Sequence, residues 1–270
     1  RKHLWKILKN RGLPSEFIKI LIDLHTGTRG KVKTEGELGE WFNITRGVRQ
    51  GSKEGPILFN LFLDSILREA FKTLPKGTGV KYLYRVDGQW YDFAQADHEL
   101  LINCLLYADD MVLLANTEEE LRQIYKAVET ALASYGMTIS LSKTKAMMFQ
   151  ATAQPPSVYP QPRVYPRNSV APFKQVQSFK YLGQQKQAKG NIEAEIGNRI
   201  SAASHTFHKL KRKVFCHKSL PAKLRVRLFK VMVLTKLNYG LHTLPLRKKD
   251  LTRLESFQNR CLRSILHIPV

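Results

Sequence analysis

Leu105-Leu106-Tyr107-Ala108-Asp109-Asp110-Met111-Val112-Leu113-Leu114 sets two adjacent carboxylates between two apolar runs. Each flank is short and rich in Leu, Val and Tyr, which predicts two largely buried strands with Ala108-Asp109-Asp110 at the tip of a hairpin. Neighbouring carboxylates resist ionising together unless a cation neutralises them, and hard oxygen ligands suit Mg²⁺. Asp109 and Asp110 are therefore candidate metal ligands. The competing reading is an Asp-Asp turn that only caps its own loop, since Asp is a common turn former.

Upstream, Thr45-Arg46-Gly47-Val48-Arg49-Gln50-Gly51-Ser52 precedes Pro56 and an apolar helix carrying Ile57, Leu58, Leu61, Phe62, Ile66 and Leu67. Two glycines let backbone approach a ligand, while Arg49 and the helix N-terminus favour an anion. A plain turn before a helix is the alternative. Residues 81–86 and 89–93 alternate around Asp87-Gly88, which predicts a tight hairpin whose aromatics clamp cross-strand pairs in preference to stacking on bases. Residues 1–25 predict two helices, the first with Leu4, Trp5 and Leu8 inward and ended by Gly12, the second opened by Pro14 with Phe17, Ile18, Leu21 and Ile22 inward. Lys31-Val32-Lys33 and Trp41-Phe42-Asn43-Ile44 predict a short hairpin around Gly36 and Gly39.

Downstream, Thr117 followed by three glutamates reads as an N-cap with acids in the first turn, opening a helix through Leu121, Ile124, Val128, Ala131 and Leu132 to Gly136. Residues 137–149 carry Lys143 and Lys145, cations for a phosphate or an ordinary surface pair. Six prolines in 151–172 predict an exposed connector. From Asn191 the composition turns to basic helices broken near 216–221 and at Pro245. Their apolar stripe is expected at Leu224, Leu228, Val231, Leu234, Leu237 and Leu241, and in the last helix at Leu251, Leu254, Cys261, Leu262 and Ile265. Lys211, Arg212, Lys213, Arg225 and Arg227 supply charge for phosphates, with Arg253, Arg260 and Arg263 on the last helix.

The whole composition agrees with a polyanionic partner: 44 Lys and Arg against 22 Asp and Glu give a net charge of +22 among 270 residues. Cys104, Cys216 and Cys261 have no paired spacing, so neither a disulfide framework nor a zinc ribbon is expected, and His205, His208, Cys216 and His217 fit no standard metal spacing. No apolar run approaches the roughly 18 to 20 residues of a membrane span, and no secretory leader is expected at the start. A first residue that is Arg and not Met suggests a piece of a longer product.

These motifs together resemble the reverse transcriptases. Tyr107-Ala108-Asp109-Asp110 matches the signature of their palm hairpin letter for letter. Gly47-Val48-Arg49-Gln50-Gly51 with Pro56-Ile57-Leu58-Phe59-Asn60-Leu61-Phe62-Leu63-Asp64 resembles the motif beside the incoming nucleotide and template base, in the form used by non-LTR (LINE-type) retrotransposons. Ser52-Lys53-Glu54-Gly55 departs from the less charged stretch of many relatives. Residues 137–149 resemble the next palm motif, with Lys143 and Lys145 at its basic positions, and Phe179-Lys180-Tyr181-Leu182-Gly183 resembles the primer-grip turn.

The resemblance implies an α+β fold: a right-hand palm of antiparallel sheet with packed helices, followed by a helical thumb. It implies fingers and palm over 1–150, a connector over 151–172, a primer-grip hairpin over 173–189 and a basic thumb over 190–270. It implies RNA-directed DNA synthesis with Mg²⁺ or Mn²⁺, on an RNA template with a DNA primer and a dNTP, by a two-metal mechanism. Asp109 is then the principal metal ligand and catalytic residue, and Asp110 the supporting one. Arg49, Gln50, Gly51 and Lys143 become nucleotide-binding, Tyr181, Leu182 and Gly183 primer-binding, and the thumb cations nucleic-acid-binding. Relatives carry a further metal-binding aspartate on a strand before the first helix, and no residue of this sequence matches it, so half a metal site is expected here. A nuclear location, without secretion, goes with the family. The alternatives are a non-catalytic nucleic-acid-binding module derived from such an enzyme and, more weakly, a two-metal nuclease.

Overall fold

The computed structural model describes residues 1–84, 98–149, 164–166 and 172–268. These fall into two compact units, Arg1–Thr144 with 164–166 and 172–173, and 145–149 with 174–268. Helix and short strand are mixed, as expected for an α+β chain. Among the described residues the strands form six two-stranded ladders, five antiparallel and one parallel, instead of one continuous sheet.

In the first unit, α1 (Lys2–Asn10) and α2 (Ser15–His25) are the two expected helices. Leu4, Leu8, Ile18 and Leu21 are buried, whereas Phe17 is exposed, one position off the inward face. The basic stretch folds as two nested ladders: β1 (Arg29–Gly30) with β4 (Phe42–Asn43), and β2 (Lys33–Thr34) with β3 (Glu37–Leu38). Helix α3 (Gly55–Phe71) joins the unit's two cores, because Leu58 packs with α1 and α2 while Leu63, Ile66, Leu67 and Ala70 pack against α4 (Glu118–Ser134). The Thr117 hydroxyl accepts from the Glu120 amide at 3.1 Å, and Ile124, Val128 and Leu132 are buried, so cap and stripe fall where the sequence sets them. Burying each such side chain contributes about 1.5–3 kcal/mol.

One strand pairing was not expected, and the connector is corrected. Strand β5 (Val80–Tyr84) pairs with β6 (His98–Ile102), Tyr84 facing His98 and Val80 facing Ile102. A diagonal ion pair from Lys81 to Glu99 at 2.9 Å and stacked Tyr84 and His98 rings at 5.4 Å tie the two strands together. The rest of the expected hairpin, residues 85–93, lies outside the described residues. The expected exposed connector also differs where it is described: Val164 and Pro166 are buried, and the Phe173 amide donates to the Val164 carbonyl at 2.9 Å while its ring packs on Tyr125.

The second unit begins with β9 (Lys145–Ala146), parallel to β10 (Lys174–Gln175), and a hairpin of β11 (Ser178–Tyr181) and β12 (Gln184–Gln187). Helix α5 (Glu193–Leu210) runs into a π-helical turn, Lys211–Phe215. An α-helix would rotate Phe215 about 80° away from Phe207 over eight residues, and the wider π turn brings it back. The two rings stack at 5.1 Å, and Phe229 meets both edge-on at 6.2 Å, at the centre of the unit's core.

Helix α6 (Ala222–Phe229) continues through a second π turn, Lys230–Leu234, into α7 (Thr235–Asn238). The buried positions are Arg225, Phe229, Val233, Leu237 and Leu241, spaced by four; of the expected stripe Leu237 and Leu241 are buried, Leu228 and Leu234 pack half-buried against the core, and Leu224 and Val231 are exposed. A stripe laid out at α-helical spacing drifts off a helix that contains a wider turn. In α8 (Lys248–Leu266), Leu254, Phe257, Cys261 and Ile265 point inward, while Leu251 is exposed because its neighbour Asp250 turns in to cap the helix. Among the described residues no helix is long and apolar enough to cross a membrane.

Candidate functional site

The central motif is a hairpin of β7 (Cys104–Tyr107) and β8 (Asp110–Leu113), with Tyr107 opposite Asp110 and Ala108-Asp109 as a two-residue turn. Register assigns its faces. Cys104, Met111 and Leu113 pack against the α3–α4 core, leaving Leu105, Tyr107 and Asp110 on the outer face. The first strand is exposed, Tyr107 by 64%, which corrects the expectation of largely buried flanks. The base of the hairpin is tied down instead: Glu120 accepts from the amides of Gly79 and Asn116, and the Asn116 side chain donates to the Gly79 carbonyl at 2.8 Å. Burial pushes the Cys104 thiol up to about 11, so at the open end of the hairpin it is a neutral packing group.

Asp109 and Asp110 are both exposed, and among the described residues no group is hydrogen-bonded to either carboxylate. In water their mutual repulsion amounts to only about 1 kcal/mol at ~4 Å separation. Ala108 has φ 52°, a left-handed conformation that costs a residue with a Cβ about 1–2 kcal/mol. The turn is thus slightly strained and presents two unpartnered carboxylates to solvent. No cluster of three or more His, Cys, Asp or Glu stands among the described residues.

The Arg49, Gln50 and Gly51 loop runs exposed into α3. It is held from inside: the Ser52 hydroxyl donates to the Arg49 carbonyl at 2.9 Å and accepts from the Gly55 amide at 3.1 Å. A Cβ on Gly55 would lie 2.8 Å from the Arg49 carbonyl oxygen, so the closure requires glycine there. From outside, Arg1 Nε donates to the Gly47 carbonyl at 2.9 Å and an Arg49 nitrogen reaches the Leu24 carbonyl at 3.4 Å. Behind the loop, burial pushes the Asp64 carboxyl up, but Arg11 and Arg68 donate to it and hold it below the ordinary range. Lys143, also in this unit, stands exposed in a turn closed by the Thr144 amide on the Ser140 carbonyl.

In the second unit, Tyr181, Leu182 and Gly183 form another two-residue hairpin turn, Leu182 and Gly183 both at positive φ and Tyr181 paired with Gln184. This turn is clamped. The Tyr239 hydroxyl donates to the Leu182 carbonyl at 3.0 Å, Arg199 donates to the Gly183 carbonyl, and buried Gln184 donates to the Gly240 carbonyl at 2.8 Å and the Thr243 hydroxyl at 3.0 Å. Glu195, 2% exposed, accepts from the Gln185 amide at 2.6 Å and holds Arg199 in place. Tyr239, Gln184 and Glu195 were not among the expected site residues. Only the Glu195 and Arg199 spacing, one helical turn apart, was visible in sequence.

Of the cations expected to meet phosphates, Arg212, Lys213 and Arg227 are exposed and Lys211 is half-buried. Arg225 is a correction. It is 7% exposed and donates to the Ile265 carbonyl at 2.7 Å and the Phe215 carbonyl at 3.2 Å, with His267 Nε2 at 3.0 Å. Its guanidinium therefore caps the C-terminal end of α8 and the π turn Lys211–Phe215 from within.

The family model for reverse transcriptase (RNA-dependent DNA polymerase) matches residues 2–185. Two relatives are similar: the Retrovirus-related Pol polyprotein from type-1 retrotransposable element R2 of Nasonia vitripennis, 30% identical over 130 residues, and that from type-2 retrotransposable element R2DM of Drosophila melanogaster, 28% identical over 140 residues. The aligned parts are 48% and 52% of this chain but 11% of each relative, so the chain spans about a tenth of their length. A match running from α1 into the clamped hairpin, over more than half the chain, answers what the four residues Tyr107-Ala108-Asp109-Asp110 could only raise: the chain belongs to the reverse transcriptase (RNA-dependent DNA polymerase) family, in the non-LTR form its motifs resemble.

Proposed function

We propose that this segment supplies palm carboxylates for RNA-directed DNA synthesis, together with surfaces for template and primer, as part of a retrotransposon polymerase acting in the nucleus. The observation that carries the reading is the exposed tip, where Asp109 and Asp110 have no partner among the described residues although the strands behind them are fastened to a core. Two hard carboxylates fit Mg²⁺ or Mn²⁺, since such ions bind through one or two carboxylates plus the phosphates of a substrate. When bound, the ions lower the pKa of the primer hydroxyl and neutralise charge on the leaving phosphate.

The chain's own residues orient the reactants. Asp109, in the turn, is the principal ligand, and Asp110, opposite Tyr107 on the outer face, the supporting one. Gln50 and Gly51 line the nucleotide and template side, with Arg49 beside them as the cation, and exposed Lys143 meets triphosphate charge. Tyr181, Leu182 and Gly183 position the primer end on a backbone that Tyr239 and Arg199 keep from moving. Lys211, Arg212, Lys213 and Arg227 on the helical thumb hold phosphates without reading bases. Likeness to R2 polyproteins supports an RNA template, a DNA primer and dNTPs as partners.

The test is extension of a DNA primer on an RNA template by a polypeptide extended upstream of Arg1. Incorporation in template order that stops on chelation supports the reading. Tight binding of primer–template without incorporation at any Mg²⁺ or Mn²⁺ concentration would leave a nucleic-acid-binding module in its place.

A further inference from the structure

The structure points to a second site in the first unit. We propose that the cleft walled by α1, α2 and the β1–β4 pair receives a sugar hydroxyl of an RNA strand, with His25 and Arg1 as its polar end. This rests on the nucleic-acid reading above and adds to it a residue that tells RNA from DNA.

The cleft has a volume of about 430 Å³, within the range of sites that hold a small ligand. His25 lies at its inner end, 2% exposed, with Nδ1 2.8 Å from the Leu21 carbonyl. A carbonyl only accepts, so Nδ1 carries the proton, and in the neutral ring Nε2 is left with a lone pair. That Nε2 is buried and has no partner. Arg1 lines the same cleft: Nε and one terminal nitrogen are used on the Gly47 and His25 carbonyls, while the other terminal nitrogen is buried without a partner. Leaving a buried polar atom unpaired costs about 1–3 kcal/mol, so an acceptor and a donor on one cleft are a paired vacancy.

The chemistry of the vacancy selects its occupant. A phosphate offers only acceptors and satisfies Arg1 alone. A hydroxyl donates to Nε2 and accepts from the guanidinium, and the ribose 2′-hydroxyl is the group that DNA lacks. Asn43 and Thr45 add polar partners along the wall, and Arg29, exposed at the start of β1, supplies charge for the strand's backbone. Trp5 lines the same cleft and stands edge-on to the imidazole at 5.6 Å. Because Arg1 also holds the Gly47 carbonyl, an occupied cleft braces the loop that carries Gln50 and Gly51.

The experiment compares the affinity of the protein for one single-stranded sequence as RNA, as DNA and as 2′-O-methyl RNA, at fixed salt. RNA is expected to bind about fivefold tighter than DNA, the worth of one net hydrogen bond, with the 2′-O-methyl strand falling to the DNA level because its oxygen cannot donate. His25→Phe, which keeps a ring but removes Nε2, should abolish the preference while leaving DNA affinity unchanged. Should that variant not fold, the imidazole Nε2 nitrogen resonance of the unaltered protein is read instead, and it should move with RNA and stay with DNA. Equal affinity for RNA and DNA overturns the sugar site while leaving the nucleic-acid reading intact. A preference that survives in folded His25→Phe, or an Nε2 signal that RNA does not move, also overturns it and assigns the buried atoms to a trapped water. Failure to bind either strand overturns the broader reading as well.

Discussion

Two hairpin turns in this chain share a length and a closing tyrosine but differ in what holds them. At Tyr107-Ala108-Asp109-Asp110 the strands are anchored and the turn is bare, with both carboxylates in solvent. At Tyr181-Leu182-Gly183-Gln184 the turn itself is gripped by Tyr239, Arg199 and, through Gln184, Gly240 and Thr243. A turn whose polar groups are satisfied within the chain serves as a fixed edge. One whose polar groups face only solvent is free to meet a ligand, which is the role proposed for Asp109 and Asp110.

The strongest way to break this contrast is Asp109→Asn in a polypeptide extended upstream of Arg1. The amide keeps size and turn geometry but removes the charge, so primer extension should fall by orders of magnitude while primer–template affinity changes little. Without metal, the thermal midpoint should hold or rise slightly, because a repulsion of about 1 kcal/mol at most is relieved. If the aspartates only cap their loop, the pattern reverses: extension stays near normal and any loss follows stability. Near-normal extension by the Asn variant would end the metal reading of this turn.

The same distinction between groups used inside and groups left outside divides the basic helices. Arg225→Ala removes a buried guanidinium from two carbonyls and should destabilise the second unit by about 3 kcal/mol, since each hydrogen bond to a charged group contributes about 1.5–3 kcal/mol. Arg227→Ala removes an exposed charge and should leave stability within ~0.5 kcal/mol. Its effect should appear as weaker duplex binding with a shallower salt dependence and no change in sequence preference. Unfolding curves and binding titrations at two salt concentrations separate the two. A folded Arg227→Ala protein with unchanged affinity and salt slope would take this face off the nucleic-acid path.

What the sequence made legible was local. Thr117 and its three glutamates start α4, Gly136 follows its end, and the hairpin follows from apolar flanks around a polar pair, although Asp110 opens its second strand instead of lying in the tip. What it hid depended on distance or on a change of helical pitch. The π turn between α6 and α7 keeps Phe229, Val233 and Leu237 inward at a spacing of four, and nothing in Lys230-Val231-Met232-Val233-Leu234 announces a wider turn. Strand β5 pairs with β6 through an ion pair and a ring stack that no local signal in the sequence announces. The clamp on Leu182 comes from Tyr239, 57 residues away, and carries no signature short of the fold itself.

Acid sharpens the comparison by acting on the clamped unit. Burial pushes the Asp250 carboxyl up, but the Arg247 amide and side chain donate to it and hold it below the ordinary value, and Lys249 does the same for Glu193. A carboxyl depressed in the folded state stabilises it at pH values above the unfolded pKa of about 4 and loses that contribution as pH falls through the folded value. The thermal midpoint of the second unit should therefore be flat from neutrality to about pH 5 and drop below about pH 4. Asp250→Asn should lower the midpoint at neutral pH and flatten the acid limb. An acid limb as steep as that of the unaltered protein would assign it to other carboxylates.

The smallest effects test the turns by backbone alone, and here the two should move in opposite directions. Gly183 has φ 77°, and a Cβ there would lie 3.2 Å from the Tyr239 ring, so Gly183→Ala combines a left-handed alanine with crowding of the residue that grips the turn. It should cost about 1–2 kcal/mol and loosen the bond from Tyr239 to the Leu182 carbonyl. Ala108 already bears that conformational cost at φ 52° in a turn that no described residue grips. Ala108→Gly relieves it, offset by the greater freedom of glycine in the unfolded chain, for a net change between zero and a gain of about 1 kcal/mol. The informative measurement is extension by Ala108→Gly in the longer polypeptide. If a strained, rigid tip is needed to hold Asp109 against its ions, extension falls although stability does not, whereas extension that simply follows stability would mean the strain at Ala108 has no part in the chemistry.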